Sequence, residues 1–114
     1  MINNWQEANV LAHLKQRAAD KLELIGEFGE GVAKQICPVD TGNLRGSIHH
    51  EVNEDGMYVR IGTPVEYAAY VEFGTGEKAE NGNGKPGFPG QKAQPFLRPI
   101  LMDHKKEIQQ LANL

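Results

Sequence analysis

The triplet Asp40-Thr41-Gly42 contains the residue types in this sequence that could perform catalysis. The aspartate of such a triplet can meet the same aspartate of a second chain across a two-fold axis. Two carboxylates held close together share one proton, so one acts as a base and the other as an acid. One interpretation of the chain is therefore a protease that is active as a homodimer.

The neighbours of the triplet favour a structural role instead. Retroviral-type aspartic proteases place it on a buried strand and follow it with a small Ala or Ser. Here it comes after a helical pattern and Pro38, and Asn43 follows it. Asp and Thr side chains accept backbone N–H groups where a chain turns. We therefore predict a capping turn and no catalytic residue, and the protease is kept as the alternative.

The cysteine and the histidines predict no metal site and no cofactor. Cys37 is the only cysteine, so the chain can form neither an intramolecular disulfide nor a thiolate cluster. His49 and His50 are adjacent, and on a strand they would point to opposite faces. We expect Cys37 to pack as a small apolar residue at the end of a helix.

The charge distribution argues against binding to nucleic acid or to a membrane. The net charge is −3, and no basic stripe with interleaved aromatic residues is present. No run approaches the roughly 18 apolar residues of a membrane span. The first residues also lack the basic start and the apolar stretch of a secretory signal. A mildly acidic surface would let DNA pass without binding it.

The first 36 residues predict a long amphipathic helix from about residue 4. Its length of about 50 Å exceeds the width of about 34 Å expected for a compact domain of this size. The helix must therefore bend at Gly26, Gly29 or Gly31, or project beyond its own domain. Pro38 predicts its end. The apolar stripe is Leu11, Leu14, Ala18, Leu22, Ile25, Phe28, Val32 and Ile36.

Residues 48–61 predict a hairpin around Glu54-Asp55-Gly56, with the alternating residues Ile48, His50, Val52, Met57, Val59 and Ile61 facing the core. Residues 66–73 favour a short helix closed by Gly74, although a strand is also compatible with the aromatic residues. Tyr67, Tyr70 and Val71 would share one face of that helix.

The segment from about 74 to 92 is rich in glycine and proline and predicts a long loop. It is either a plain linker or a segment that becomes ordered against neighbouring subunits. Pro99 then begins a last helix. Its stripe is Ile100, Leu101, His104, Ile108, Leu111 and Leu114. The fold class is α+β: one domain, 1–114, with a long N-terminal helix and a C-terminal helix packed on a small antiparallel sheet.

Three blocks of sequence carry a resemblance to a known family. They span residues 38–48, 67–76 and 93–99, and include Asp40-Thr41-Gly42-Asn43-Leu44-Arg45, Tyr67-Ala68-Ala69-Tyr70-Val71-Glu72-Phe73-Gly74 and Pro95-Phe96-Leu97-Arg98. In this order, between two amphipathic helices, they resemble the gene-product-10-like tail-component family of lambdoid siphophages. The resemblance covers about residues 5 to 112.

The resemblance implies a structural subunit for tail completion or head–tail joining, which assembles as a ring in the phage neck or at the top of the tail tube. It implies a virion protein without catalytic residues or cofactor, present in the host cytoplasm during assembly. Its partners would be other neck and tail proteins and further copies of itself. The resemblance implies that Arg98 pairs with Glu72 or with an acid of a neighbour. The expected subunit-contact or motif residues are Thr41, Gly42, Leu44, Arg45, Tyr67, Tyr70, Glu72, Phe73, Gly74, Phe96 and Arg98.

Overall fold

The computed structural model describes residues 4–38, 43–80 and 89–114 and confirms the α+β class. A two-stranded antiparallel sheet and the C-terminal helices lie against a long N-terminal helix. The elements are α1 (Asn4–Ile36), α2 (Asn43–Ser47), β1 (His49–Val52), β2 (Val59–Gly62), α3 (Ala68–Phe73), a 3₁₀ turn (Gly76–Lys78), α4 (Arg98–Asp103) and α5 (Lys105–Ala112).

The helix α1 runs without interruption for 33 residues and ends two residues before Pro38. The amide of Cys37 donates the last bond of this segment, to the Ala33 carbonyl at 2.9 Å. The molecule measures 71 × 24 × 23 Å, and every side chain from residue 7 to residue 18 is exposed. The helix therefore projects beyond its domain, which is the second of the two predicted alternatives.

The hairpin lies along the middle of α1 because two glycines let it approach closely. In the register, His50 is paired with Ile61 and Val52 with Val59. The ring of His50 lies on Gly26, and the side chain of Ile61 lies on Gly29. A Cβ at either glycine would occupy the space of these side chains. The two glycines thus serve a close contact with side chains, whereas Gly31 faces open space.

The hairpin turn forms as the sequence predicts, with Gly56 at a φ of +66°. Its amide donates to the Asn53 carbonyl at 3.0 Å. The side-chain oxygen of Asn53 also accepts from the amide of Met57 at 2.7 Å. The expectation that Met57 faces the core is wrong, since its side chain is 76 % exposed. It belongs to the turn, where the alternation of a strand does not apply.

The buried core lies around the C-terminal half of α1. Its members are Val32, Ala33, Cys37, Leu44, Ile48, Phe96 and Ile100. Phe28, Val71 and Ile108 pack on its margin. The predicted stripe on α1 is therefore buried only in its second half, and even there Ile36 stays exposed.

The helix α3 confirms the short helix predicted for residues 66–73 and excludes the strand. Gly74 follows it at a φ of +83°, and its amide donates to the Tyr70 carbonyl at 2.8 Å.

The C-terminal segment forms two helices rather than one. The chain leaves helical geometry at His104, between α4 and α5. Ile100 packs against Gly29 and is buried, and one residue further round the helix Leu101 points outward and is 72 % exposed. The expectation that Leu101 and Leu114 belong to the apolar stripe is wrong, because Leu101 lies about 100° round α4 from the buried Ile100 and Leu114 lies beyond the end of α5 at Ala112.

Candidate functional site

The carboxylate of Glu72 joins α3 to the start of α4. Its Oε2 accepts from the amides of Phe96 at 2.9 Å and Leu97 at 3.0 Å. Its Oε1 accepts from the amide of Arg98 at 3.0 Å. Arg98 is the first residue of α4, Leu97 is its N-cap and Phe96 precedes it, so these amides have no partner within the helix. A single buried side chain thus satisfies three backbone donors on another element.

The guanidinium of Arg98 completes this arrangement from the outside. Its Nε lies 3.0 Å from Oε1 of Glu72, and its Nη2 donates to the Glu72 carbonyl at 2.8 Å. The same Nη2 lies 2.9 Å from Oε2 of Glu80, and the guanidinium stands over the ring of Phe73 at 5.1 Å. Arg98 therefore pairs with Glu72 and Glu80 of its own chain. Of the two predicted partners, Glu72 and an acid of a neighbour, the structure shows Glu72.

Electrostatics favours the charged form of Glu72. Burial alone raises the pKa of this carboxyl, but the amides of Phe96, Leu97 and Arg98 and the Arg98 side chain outweigh it, and the pKa is lowered. Because the carboxylate is 5 % exposed and accepts all these bonds, we interpret this cluster as a structural clamp.

The two ends of the glycine-rich segment, at Thr75 and Gln91, are hydrogen-bonded to each other beside this clamp. The amide of Thr75 donates to the Gln91 carbonyl at 2.9 Å, and the amide of Gln91 donates to Oγ1 of Thr75 at 2.9 Å. Gly74 lies so close to this pairing that a Cβ would stand 2.7 Å from the Gln91 oxygen. Within the loop predicted for about residues 74–92, the structure describes the backbone of 74–80, which includes the 3₁₀ turn, and of 89–92. The rest of it lies outside the described residues.

An open cleft of about 800 Å³ borders α3, the loop ends and α2. Tyr67 and Tyr70 line it with exposed rings, and Lys78 and Lys92 supply two positive charges. Val71 and Leu44 form its apolar floor. These two tyrosines form an exposed aromatic surface, whereas the ring of Phe73 is half-buried under Arg98.

A second polar cluster fastens the hairpin to α1. Nε2 of His50 lies 2.6 Å from Oε1 of Glu23, and Nδ1 lies 3.2 Å from Oε1 of Glu30. The hydrogen bond to Glu23 is the main reason why the pKa of His50 is raised, against the effect of burial. At Glu30 burial raises the pKa, but the bond from His50 and the charge of Lys34 lower it overall.

The sequence does not predict this cluster. It does predict that His49 and His50 lie on opposite faces of a strand, and His49 is exposed. The sequence does contain one signal for this cluster: His50 is a polar residue at a core-facing position of the hairpin. Buried polar groups need hydrogen-bond partners. The partners of His50 lie 20 and 27 residues away in sequence, which no local pattern shows.

The largest uncovered apolar surface of α1 lies on its projecting part. We call this surface the α1 stripe; it consists of Val10, Leu11 and Leu14, which are 50 %, 57 % and 55 % exposed. At the tip of the hairpin, Gly56 lies against α1 at Lys15 and Ala19. Beyond that point the part of the chain that the structure describes offers the helix no support.

The predicted contact residues fall into four groups: buried, half-buried, exposed, and outside the described residues. Leu44, Glu72, Gly74 and Phe96 are buried, and Phe73 and Arg98 are half-buried in the clamp. Arg45 donates to the Cys37 carbonyl at 3.5 Å. Tyr67 and Tyr70 are exposed on the cleft. Thr41 and Gly42, together with Asp40 of the protease alternative, lie outside the described residues.

Comparison with known proteins decides the family. The model of a family described as "Bacteriophage HK97-gp10, putative tail-component" matches residues 6–74. The chain belongs to this HK97 gp10-like family. The match confirms the resemblance drawn from the sequence, over a shorter range that ends at Gly74. No curated protein and no solved structure matches the chain.

The matched range of this gp10-like protein contains α1, the hairpin and α3. It includes Glu72 but stops before Arg98, so it covers one side of the clamp. Among residues 4–38, 43–80 and 89–114, no group of His, Cys, Asp or Glu side chains is arranged to hold a metal ion. In the same ranges no helix has the length and apolar character needed to cross a membrane.

Proposed function

We propose that this gp10-like protein is a ring subunit at the head–tail junction or at the top of the tail tube, where it completes the tail or joins it to the head. Membership of a tail-component family supports the coarser role of a structural protein of the phage tail. In this proposal the protein performs no chemistry. Its partners are neighbouring copies and other neck and tail proteins, and the host cytoplasm is where it assembles.

The observation that carries the proposal is the projecting part of α1. A helix segment that is exposed on every side gains no tertiary packing, and isolated helices of this length are marginally stable in water. The α1 stripe nevertheless presents three apolar side chains in a row. Such a segment is expected in a subunit that completes its burial against another molecule.

A ring also needs a second, different surface, because each copy meets the next through two unlike faces. The tyrosine cleft with Tyr67 and Tyr70 supplies a candidate. It borders Pro38, beyond the C-terminal end of α1, so about 40 Å of helix separates it from Val10. Two unlike surfaces at the two ends of a long molecule suit the head-to-tail contacts of a closed ring.

The charge of the chain is compatible with DNA passing such a ring. The net charge is −3, and the hairpin contributes Glu51, Glu54 and Asp55 on exposed positions. Negative side chains repel a phosphate backbone and so prevent tight binding. The proposal therefore includes no sequence-specific contact with nucleic acid.

Electron microscopy of lysates tests the proposal. A phage or prophage lacking this gene is complemented with the wild type, with Leu11→Asp/Leu14→Asp or with Asp40→Asn. We expect filled heads beside unattached tails, or tails of irregular length, for the deletion and for the double variant. Asp40→Asn should restore normal particles.

Two results would contradict the proposal. Normal infectious particles from the deletion would show that the protein is not a required joint. Failure of Asp40→Asn alone, with the fold intact by circular dichroism, would favour the protease.

A further inference from the structure

The projecting part of α1 carries one continuous face that its own domain leaves uncovered. At 100° per residue, the side chains of Glu7, Val10, Leu11, Leu14 and Ala18 fall within an arc of about 100°. All five are exposed. The hairpin tip meets the helix to one side of this face, at the Lys15 carbonyl and Ala19, and every side chain from residue 7 to residue 18 is exposed, so the uncovered face spans residues 7–18, about 18 Å of helix.

The charges along this span are separated by sign. Glu7 at its beginning is the only acid between residues 7 and 18, whereas Lys15 and Arg17 lie near its end and Lys21 just beyond. The next acid, Asp20, lies on another side of the helix, where it accepts from the Gln16 amide at 2.9 Å. The span therefore has an acidic beginning, an apolar middle and a basic end.

This order of charges complements itself when two copies run in opposite directions. Full antiparallel overlap of the two uncovered spans places residue 7 opposite residue 18 and Leu11 opposite Leu14. Glu7 of one copy then lies on the small Ala18 of the other, with Arg17 and Lys21 on the same side of it. A parallel pair would instead place Glu7 beside Glu7 and Arg17 beside Arg17.

We propose that the free protein forms a two-fold dimer in which the α1 spans of two copies pack antiparallel in this register. The dimer covers the same α1 stripe that the proposed ring uses, and this link to assembly rests on the proposed function. Ring formation then requires exchange of one partner for another, so the stripe stays covered until other contacts replace it. The surface area that this short span can bury is small compared with the roughly 800 Å² per partner of a standard interface. We therefore expect a weak and reversible dimer.

Sedimentation velocity over a concentration series measures this dimer directly. Leu14→Asp, which places a charge in its centre, should weaken it by roughly a hundredfold. Glu7→Lys should weaken it by roughly tenfold, and Glu7→Lys/Arg17→Glu should restore it. Leu101→Asp is the control, because Leu101 is also an exposed leucine but lies on α4, outside the α1 stripe. It should leave the dimer unchanged.

Disulfide trapping tests the direction of the helices. Glu7→Cys and Ala18→Cys are prepared as separate proteins and oxidised alone and as a mixture. The antiparallel register predicts a cross-linked dimer only in the mixture. The native Cys37 is buried and should not react, so the wild type serves as the control.

A monomer at all concentrations, or cross-links within each single variant, would overturn the inference. Either result would leave the lysate experiment unaffected, since a ring can form directly from monomers. Conversely, normal particles from the gene deletion would overturn the proposed function, while a dimer with the expected charge dependence would still stand.

Discussion

The Nε atom of Arg98 lies 3.0 Å from Oε1 of Glu72, and both residues also bond each other's backbone. The pair connects α3, the last element of the matched family range, to α4. The tyrosine cleft is therefore lined by a helix that this clamp holds in place.

Removing the charge of Glu72 should destabilise the fold. In Glu72→Gln an amide nitrogen faces the N–H donors of Phe96, Leu97 and Arg98, so at least one donor loses its acceptor. We expect a loss of about 2 kcal/mol or more in the free energy of unfolding, measured with urea. Glu80→Gln is the matched control and should cost less than about 1 kcal/mol, because Glu80 is half exposed. Equal losses for the two variants would contradict the clamp.

Stability should fall at both ends of the pH range, for different reasons. Glu72 has a lowered pKa in the folded state, so its contribution is present above the ordinary value of 4.5 and is lost as the pH falls through the folded value. His50 has a raised pKa, so its contribution is complete below the ordinary 6.5 and is lost as the pH rises through the folded value.

Urea unfolding over a pH series separates these two effects. His50→Gln should flatten the decrease on the alkaline side and leave the Glu72 part of the acid side. His49→Gln is the control, since His49 is exposed on the other face of β1. An unchanged alkaline decrease in His50→Gln would assign it to another group.

Two glycines of α1 should respond in opposite directions to the same substitution. In Gly26→Ala the new methyl group meets the ring of His50 close to its root, so the ring must leave Glu23 and Glu30. We expect a loss of about 1–2 kcal/mol. Gly31→Ala meets nothing within 4 Å and should gain up to about 1 kcal/mol from helix propensity. Thermal unfolding of the two variants checks the difference in sign.

The glycine at the base of the loop should not tolerate a side chain. Gly74→Ala combines a φ of +83° with a Cβ position 2.7 Å from the Gln91 oxygen, and we expect a cost of about 2 kcal/mol. Gly46→Ala is the control, because Gly46 has open space and no positive φ. Hydrogen exchange at the amides of Thr75 and Gln91 should accelerate in the first variant only. Retained protection there would show that the pairing does not depend on Gly74.

The elements that were predicted correctly are those whose ends have a local cause. Pro38 ends α1, Gly56 turns the hairpin and Gly74 closes α3, and each acts through its own backbone preferences. Met57 and Leu101 were misplaced because their exposure depends on where an element begins or breaks. The break at His104 has no glycine or proline to announce it.

The candidate site was predictable only in part, for a related reason. The pairing of Arg98 with Glu72 was one of two expected partners, since a sequence cannot say whether an acid of the same chain is nearer than one of a neighbour. The cluster of His50 with Glu23 and Glu30 depends on how the hairpin lies along α1. That placement is decided by Gly26 and Gly29, which the sequence indicates as places for a bend.

The fastening of Thr75 to Gln91 makes the chain between Glu80 and Pro89 a natural place to insert foreign sequence. Both ends are held by hydrogen bonds within the domain, so we expect added residues to leave the geometry of α3 and α4 unchanged. The entropic cost of a longer loop grows slowly, by about 0.6 kcal/mol for each doubling. An epitope or a fluorescent tag placed there would mark the subunit within a particle while leaving α1 untouched.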